Sequence, residues 1–289
     1  MGHDEATVTE LRVSTWNCFG MGQGAFDAVT AWRAPFRARL RHPEVAQAFE
    51  GAHVTCLQEI LSRDAESFFD ALPGQRVRDR NHVELSPVTL RGSGLGVVGR
   101  GHMRAPRLER FGGRQVGWDR FARKGTLHTR LEVDGMEVDL MNVHLQAGYD
   151  AACTAVRGEQ LDELGRRVAA LIHEDRTFLV CGDFNVCGLD GGKEEYSRLR
   201  AALPGFVDVG EQGNLPTFDP HEERNALAHA TEPGGPQQRV DYIFVHGRRG
   251  GFAKLHSVER ILDRPLAERS GSSAFASDHF GLSAHFELG

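Results

Sequence analysis

Long apolar runs, a cysteine pattern and an excess of positive charge are all missing from this sequence. No stretch approaches the roughly 20 apolar residues that a membrane-spanning helix needs, so none is expected. The amino-terminal stretch MGHDEATVTEL is acidic and lacks the apolar core of a secretory signal. The chain as given therefore reads as cytoplasmic, or as the processed form of a secreted protein, with residues 1–10 expected to be a flexible amino-terminal segment. The five cysteines (Cys18, Cys56, Cys153, Cys181 and Cys187) are odd in number and contain no Cys-x-x-Cys pair. That fits neither a zinc cluster nor a fully paired disulfide framework, and small core residues are expected instead. Lys plus Arg total 34 against 40 Asp plus Glu, a formal charge of −6. A surface that coats polyanions without specificity is disfavoured, although the arginines gathered in 104–130 and 239–264 leave a local basic groove open.

What is present is an ordinary globular composition, 40% hydrophobic and 26% charged over 289 residues, and a single domain over 1–289 is expected. Strand-like and helix-like segments alternate. LRVSTWN reads as a strand, PEVAQAFEG as a helix with Pro at its start and Gly after it, and HVTCLQEI as the next strand. GLGVVGR, GTLHTRLEV and MEVDLMNVHL follow, the last two joined by Asp134 and Gly135, a dipeptide suited to a tight hairpin. An antiparallel pair among strands linked by helices makes the sheet mixed. AVRGEQLDELGRRVAALIHE carries Leu161, Leu164, Val168 and Leu171 at helical spacing and leads into FLVCGDFNV. RVDYIFVHG and FGLSAHFEL are late strands. The Gly/Pro-rich segments 204–220 and 231–238 read as loops, and a long loop inside a compact domain is often functional.

Five of these strands meet polar groups of one chemical kind: Asn17, Glu59, His144, Asp183 with Asn185, and Asp241. Ser-Asp-His at 277–279 stands just before the last strand. Singly, each has an ordinary explanation as a cap, a turn residue or a hydrogen-bonded core histidine. Together they are hard to explain that way, because isolated charges are rarely buried and strand ends are where α/β proteins gather catalytic groups. In FLVCGDFNV, Gly182 removes a side chain where the backbone must come close to something. Period two would then put Asp183 and Asn185 on one face, while a local turn made by the Asp and Asn side chains is the alternative. Oxygen ligands without cysteine suit a hard cation, Mg²⁺ with Mn²⁺ as the alternative, that leaves room for phosphate oxygens. Histidines beside it suit proton transfer.

In order along the chain, STWN, LQE, NVHL, GDFNV, RVDYIFV and SDHFGL resemble the endonuclease/exonuclease/phosphatase (DNase I-like) superfamily. The resemblance implies a four-layer α/β/β/α sandwich of two mixed β-sheets flanked by helices, and a metal-dependent phosphodiesterase or phosphatase. By the same resemblance Glu59, Asn17 and Asp278 belong to the metal site. His279 would be the general base oriented by Asp241, Asp183 would position the attacking water, Asn185 would contact the phosphate, and His144 would donate to one of its oxygens. The inositol phosphatase markers DxNxR and CDR are absent. HLQAGYDAACTAVRGEQL, the Lys-Gly at Lys124 and the PTFDP loop with Asn225 are instead similar to the neutral sphingomyelinase branch. Lys124, Asn225 and the aromatic Trp32, with Phe26 and Phe36 beside it, are the candidate substrate contacts. A phosphodiester substrate is implied, with a sphingomyelin-type phospholipid favoured. A nuclease or DNA-end-processing enzyme is the alternative, since TFD...N is also similar to tyrosyl-DNA phosphodiesterases. A non-catalytic binding module would be signalled by loss of Glu59, Asp183 or His279, and all three are present. The lipid reading lacks a clearly apolar insertion hairpin. Between Asp241 and Asp278 only Phe252, Leu262, Leu266 and Phe275 are available, as membrane contacts or as core.

Overall fold

The computed structural model describes residues 9–20, 39–79, 92–189, 193–247, 254–267 and 275–288. Strand β1 (Thr9–Gly20) shows the logic of the fold in one segment. Its first half alternates exposed Glu10 and Arg12 with buried Leu11 and Val13, and from Val13 to Cys18 both faces are buried. One face meets a second sheet, and the other is covered by helices α1 (Pro43–Gln47) and α2 (Arg63–Ala71), whose Val45, Phe49, Phe68 and Phe69 side of the layer packs on Trp16 and Cys18. Between the helices runs β2 (Val54–Ile60), followed after α2 by β3 (Gln75–Arg78) and β4 (Gly96–Gly99).

The second half repeats the scheme. Strands β5 (His102–Arg110), β6 (Gly125–Val133) and β7 (Met136–His144) lead through α3 (Ala151–Leu171) to β8 (Thr177–Asp183). After α4 (Lys193–Ala202) come β9 (Val207–Asp208), α5 (Ala226–Thr231), β10 (Asp241–His246), β11 (Lys254–Ile261) and β12 (Gly281–Leu288). The first sheet runs β11-β12-β1-β2-β4-β3 and the second β5-β6-β7-β8-β10-β9. Each contains one parallel pair, β1 with β2 and β7 with β8, among antiparallel neighbours. The sheets face each other across Val13, Cys56, Leu140, Leu179, Ile243 and Phe286, while α3 and α4 cover the outer face of the second through Leu161, Leu164 and Leu199. This is the expected four-layer sandwich of two mixed sheets.

Asp134 and Gly135, at φ +47° and +81°, turn β6 into β7 with Val133 opposite Met136. Helix α3 begins four residues before the expected segment, because the Asp150 side chain accepts from Cys153 N at 2.7 Å and caps it there. Residues 9 and 10 are not part of a loose terminus: Thr9 and Glu10 pair with Leu288 and Glu287, and residues 1–8 lie outside the described set. Leu266 and Phe275 are core, at 4% and 6% exposure, Leu262 packs against the core, and Phe252 lies outside the described residues. Among the described residues no helix is long and apolar enough to cross a membrane.

Gly182 answers to a close approach. It sits at φ +142°, and a Cβ there would lie 2.0 Å from Val143 O on the parallel neighbour. Gly182→Ala is expected to force β7 and β8 apart and to cost about 2 kcal/mol or more, read as a lowered urea midpoint at unchanged m value.

Candidate active site

In a parallel pair both strands end at the same sheet edge, and an antiparallel neighbour starts there. Asn17, Glu59, His144 and Asp183 therefore arrive together at the ends of β1, β2, β7 and β8. Asp241 does not end or interrupt a strand as the sequence reading has it. It opens β10, directly opposite Asp183. His279 stands two residues before β12, beside the end of β1.

Strand parity aims these side chains. Leu179 and Cys181 face the space between the sheets, so Asp183 does too, and Leu140 does the same for Asn142 and His144. On β1, Val13 sets the direction for Thr15 and Asn17. Glu59 falls on the wrong parity, since Leu57 packs outward. Its backbone corrects this by adopting φ +59°, next to a register shift between Asn17 and Gly20. The expected period-two pairing of Asp183 with Asn185 does not continue past the strand. Asn185 has φ +52°, its N–H donates to Asp183 Oδ1 at 2.9 Å, and its side-chain amide donates to Leu145 O at 3.0 Å. The local-turn alternative describes this segment, and it still leaves Asn185 beside the site.

Asp183 is the centre. Asn17 Nδ2 donates to Asp183 Oδ2 at 3.0 Å and to Glu59 Oε1 at 3.2 Å, bridging the carboxylates of two sheets. His144 Nε2 lies 3.4 Å from Asp183 Oδ2, too long for a well-formed hydrogen bond. Burial opposes ionisation of Asp183. His144, His279 and Lys124 outweigh it and hold the carboxyl below the ordinary range. His279 Nδ1 meets Asp241 Oδ2 at 2.8 Å, which fixes the proton on Nδ1 and leaves Nε2 4.0 Å from Asp183 Oδ2, close enough for one water to touch both. Burial disfavours a charged imidazole, yet Asp241, Asp183 and Asp278 hold His279 well above its ordinary value. For Asp278, burial with Glu59 pushes the carboxyl up to about 6 against the pull of His279 and Arg39.

A clip of backbone holds the dyad in place. Thr217 Oγ1 accepts from both Val240 N and Asp241 N, at 3.0 and 3.1 Å. Thr217 O accepts from Phe280 N at 2.7 Å, and Phe218 bridges to Gln238 and His279 with its ring 5.3 Å from the imidazole. The loop thus joins the start of β10 in one sheet to the approach of β12 in the other. Ser277 Oγ donates to Asn17 O at 2.7 Å and accepts from His279 N. Thr217 and Ser277 lie within the PTFDP and Ser-Asp-His motifs, but the sequence alone assigns neither a role there. Two of the expected substrate contacts are buried and engaged by the protein itself. Asn225 is fully buried, caps α5 through Leu227 N and Ala228 N, and donates to Ser277 O and Asp278 O. Lys124 is 2% exposed and tied to Asp119 and Leu145 O, both at 2.8 Å, so it braces the loop after β7 from behind. Trp32, with Phe26 and Phe36, lies outside the described residues.

The donor set fits a hard cation. Glu59 Oε2 is buried with no hydrogen-bond partner, and His144 Nε2 and Asp241 Oδ1 are likewise without one. Asp183, Asp241 and His279 also offer ligand atoms within 4.8 Å of one another. In that trio the His279 and Asp241 atoms are already engaged with each other, whereas Glu59 Oε2 has nothing to satisfy it.

Comparison with known proteins places the chain in a family and agrees with the fold. The endonuclease/exonuclease/phosphatase family matches residues 14–279. A phospholipase C of Staphylococcus aureus is 31% identical over 135 residues, 45% of this chain and 39% of that protein, so the match spans well under half of the relative. Sphingomyelinase C from Streptomyces griseocarneus superposes with a TM-score of 0.72 at 21% identity, over 96% of this chain and 99% of that one. A beta toxin from Staphylococcus aureus with bound magnesium ions gives 0.71 at 19%, over 96% and 99%. D. rerio TDP2 complexed with a single-stranded DNA product gives 0.72 at 19%, over 96% and 98%. At these identities the superpositions speak for the fold.

The Thr217 clip is testable. Thr217→Val keeps the shape but leaves two buried N–H groups without an acceptor, at about 1–3 kcal/mol each. It should lower the urea midpoint and turnover together, and Thr217→Ser should restore both. Equal behaviour of the Val and Ser variants would show that the hydroxyl holds nothing.

Proposed function

The chain belongs to the endonuclease/exonuclease/phosphatase family, and we propose that it is a divalent-cation-dependent phosphodiesterase acting on a choline phospholipid of the sphingomyelin type. The observation that carries the chemistry is the buried His279–Asp241 pair, at 2.8 Å, with its free Nε2 facing Asp183 beside the partnerless oxygen of Glu59. Glu59 would hold the cation, with Asp278 nearby and Asn17 keeping the Glu59 and Asp183 carboxylates in place. Mg²⁺ is favoured over Mn²⁺ as the ordinary hard cation for such a set, and when bound it supplies positive charge to the phosphoryl oxygens.

The chain's own residues account for the rest of the reaction. Asp183 and His279 Nε2 hold a water in the 4.0 Å gap between them. Nε2 takes a proton as the water oxygen bonds to phosphorus, and Asp241 steadies the imidazolium that results. His144 and Asn185 donate to the phosphate oxygens. The bond from phosphorus to the alcohol oxygen breaks, that oxygen takes a proton from solvent and leaves as the free alcohol, and the His279 imidazolium returns its proton to water. For a sphingomyelin-type substrate the products are phosphocholine and the lipid alcohol.

The lipid preference draws on the sphingomyelinase and phospholipase C likenesses, and on charge. The segment 209–238, whose Phe218 lies against His279, carries exposed Glu211, Glu222 and Glu223 and half-buried Glu232, against Arg224 and the histidines His221 and His229. A phosphate backbone tracking across that surface would be repelled, while a single phosphodiester with a cationic end would not. The nuclease alternative rests on the equally good superposition with a DNA-bound relative. Phosphocholine release from sphingomyelin micelles, set against Mg²⁺-dependent nicking of plasmid DNA, separates them, with Asp183→Ala as the control for each. Nicking without phosphocholine release would assign the chain to the nucleases.

Three variants test the assigned roles. Glu59→Gln removes a charge at nearly constant volume, so Mg²⁺ affinity measured by calorimetry and turnover should both fall while the thermal midpoint holds. An unchanged Mg²⁺ affinity would take Glu59 out of the cation site. His279→Ala should lower turnover by about 10²-fold or more, and Asp241→Asn by less. Since the base must be neutral, activity should fall as pH falls through the His279 titration, and that acidic limb should vanish in His279→Ala.

A further inference from the structure

Resting on the phosphodiesterase reading above, we infer that Tyr149 and Glu232 form a subsite for a quaternary ammonium group at the mouth of the active site. Tyr149 is the most exposed large hydrophobic residue among those described, at 62%. An exposed aromatic ring is usually loose, and this one is pinned. Its hydroxyl donates to Glu232 Oε2 at 2.7 Å and accepts from the Gln238 side chain. The loop beneath it is equally fixed. Arg157 is 2% exposed, donates to Gln146 O and Gly148 O at 2.8 Å each, and is itself held by Glu195 at 2.8 Å.

The position is set by the site itself. Tyr149 follows His144 by five residues, in the loop that carries Leu145, whose carbonyl accepts from both Asn185 and Lys124. Gln238, which holds the hydroxyl, exchanges backbone hydrogen bonds with Phe218, and the Phe218 ring lies against His279. A preformed aromatic face next to a carboxylate, linked through Gln238 and Phe218 to the proton-accepting histidine, has the chemistry that recognises an alkylammonium cation. The same carboxylate would disfavour a second phosphate, so the subsite suits a choline phosphodiester, whether a lipid headgroup or a soluble ester.

The test compares p-nitrophenylphosphorylcholine with bis-p-nitrophenyl phosphate at saturating Mg²⁺. Tyr149→Leu should lower the ratio of kcat/KM for the choline ester over the other by roughly 3- to 30-fold. Tyr149→Phe should keep most of the ratio and Glu232→Gln should lose part of it. A ratio unmoved by Tyr149→Leu, with both esters cleaved, would overturn the subsite and leave the phosphodiesterase reading standing. If the wild-type protein cleaves neither ester, that reading falls, and the subsite is decided by binding. Phosphocholine titrated by NMR should then bind the wild-type protein at least threefold more tightly than Tyr149→Leu, and equal binding would overturn it. Preference for sphingomyelin micelles over glycerophosphocholine would identify a lipid headgroup as the source of the cation, and the reverse a soluble ester.

Discussion

A carboxylate that is 1% exposed must be compensated by its neighbours, and at Asp183 the compensation comes from both sheets. Asn17 reaches it from the first sheet and His144 from the second, while Asn185 N satisfies its other oxygen. One hydrogen bond, from Asn17 Nδ2 to Asp183 Oδ2 at 3.0 Å, ties the two sheets together at this edge. One step deeper, Gln58 Nε2 donates to Asn142 Oδ1 at 2.7 Å and Thr15 Oγ1 at 3.1 Å, and Asn142 donates to Leu57 O and Gly96 O at 2.9 Å. A second polar tie thus crosses between the sheets just under the site. Below it the interface is apolar. The polar ties hold the catalytic edge in one register, and the core beneath supplies the burial that makes any misplacement costly.

Aiming side chains from strand ends brings local strain. Phe19, Glu59 and Asn185 all adopt positive φ, at 46°, 59° and 52°, within a few residues of the carboxylates. Outside glycine such a conformation costs about 1–2 kcal/mol. Each is over-determined by its surroundings: Phe19 N donates to Asn17 Oδ1 at 3.0 Å, Glu59 O accepts from Leu61 N at 2.8 Å, and Asn185 N donates to Asp183. Glu59 shows the consequence most directly. Regular strand geometry would point it outward with Leu57, and only the left-handed turn brings it into the space where Asn17 and Asp183 wait.

Legibility in the sequence followed burial. The eight strands readable from the chain are the eight interior ones, whose apolar patterns answer to neighbours on two sides. The four that were not readable, β3, β5, β9 and β11, are the four sheet edges. An edge strand has one neighbour and an open flank, so β11 keeps five of its eight residues exposed and β5 carries Pro106 at a bulge, where its ladder with β6 shifts register between Arg104 and Arg107. The site divides in the same way. Residues that carry charge to a strand end were visible because their chemistry conflicts with burial. Thr217 and Ser277 were not, because a hydroxyl accepting backbone hydrogen bonds looks like any loop residue until its partners are known. Asn225 and Lys124 are polar and buried because they hold the loops in place, and a polar residue that braces a loop carries the same sequence signal as one that touches a substrate.

Ion pairing engages much of the two arginine-rich stretches, while Arg114, Arg120, Arg123 and Arg264 stay exposed. The arginines concentrated in 104–130 would matter if they formed an open cationic track. Arg104 is instead paired with Glu132 and Glu137, Arg107 with Glu109, Arg110 with Asp79, and Arg130 with Glu137 and Asp139. They lie on β5 and β6, with β7 between them and the strand that bears Asp183. In the other arginine-rich stretch, Arg239 is buried against Asp208 at 2.6 Å and stacked over Tyr242, and Arg260 meets Asp263. A paired guanidinium has little net field to offer a phosphate beyond about 10 Å of salt solution. Among the described residues of the 209–238 segment the exposed charge is mainly acidic, with Glu211, Glu222 and Glu223 against Arg224, so this segment does not supply the cationic track that a phosphate backbone would need.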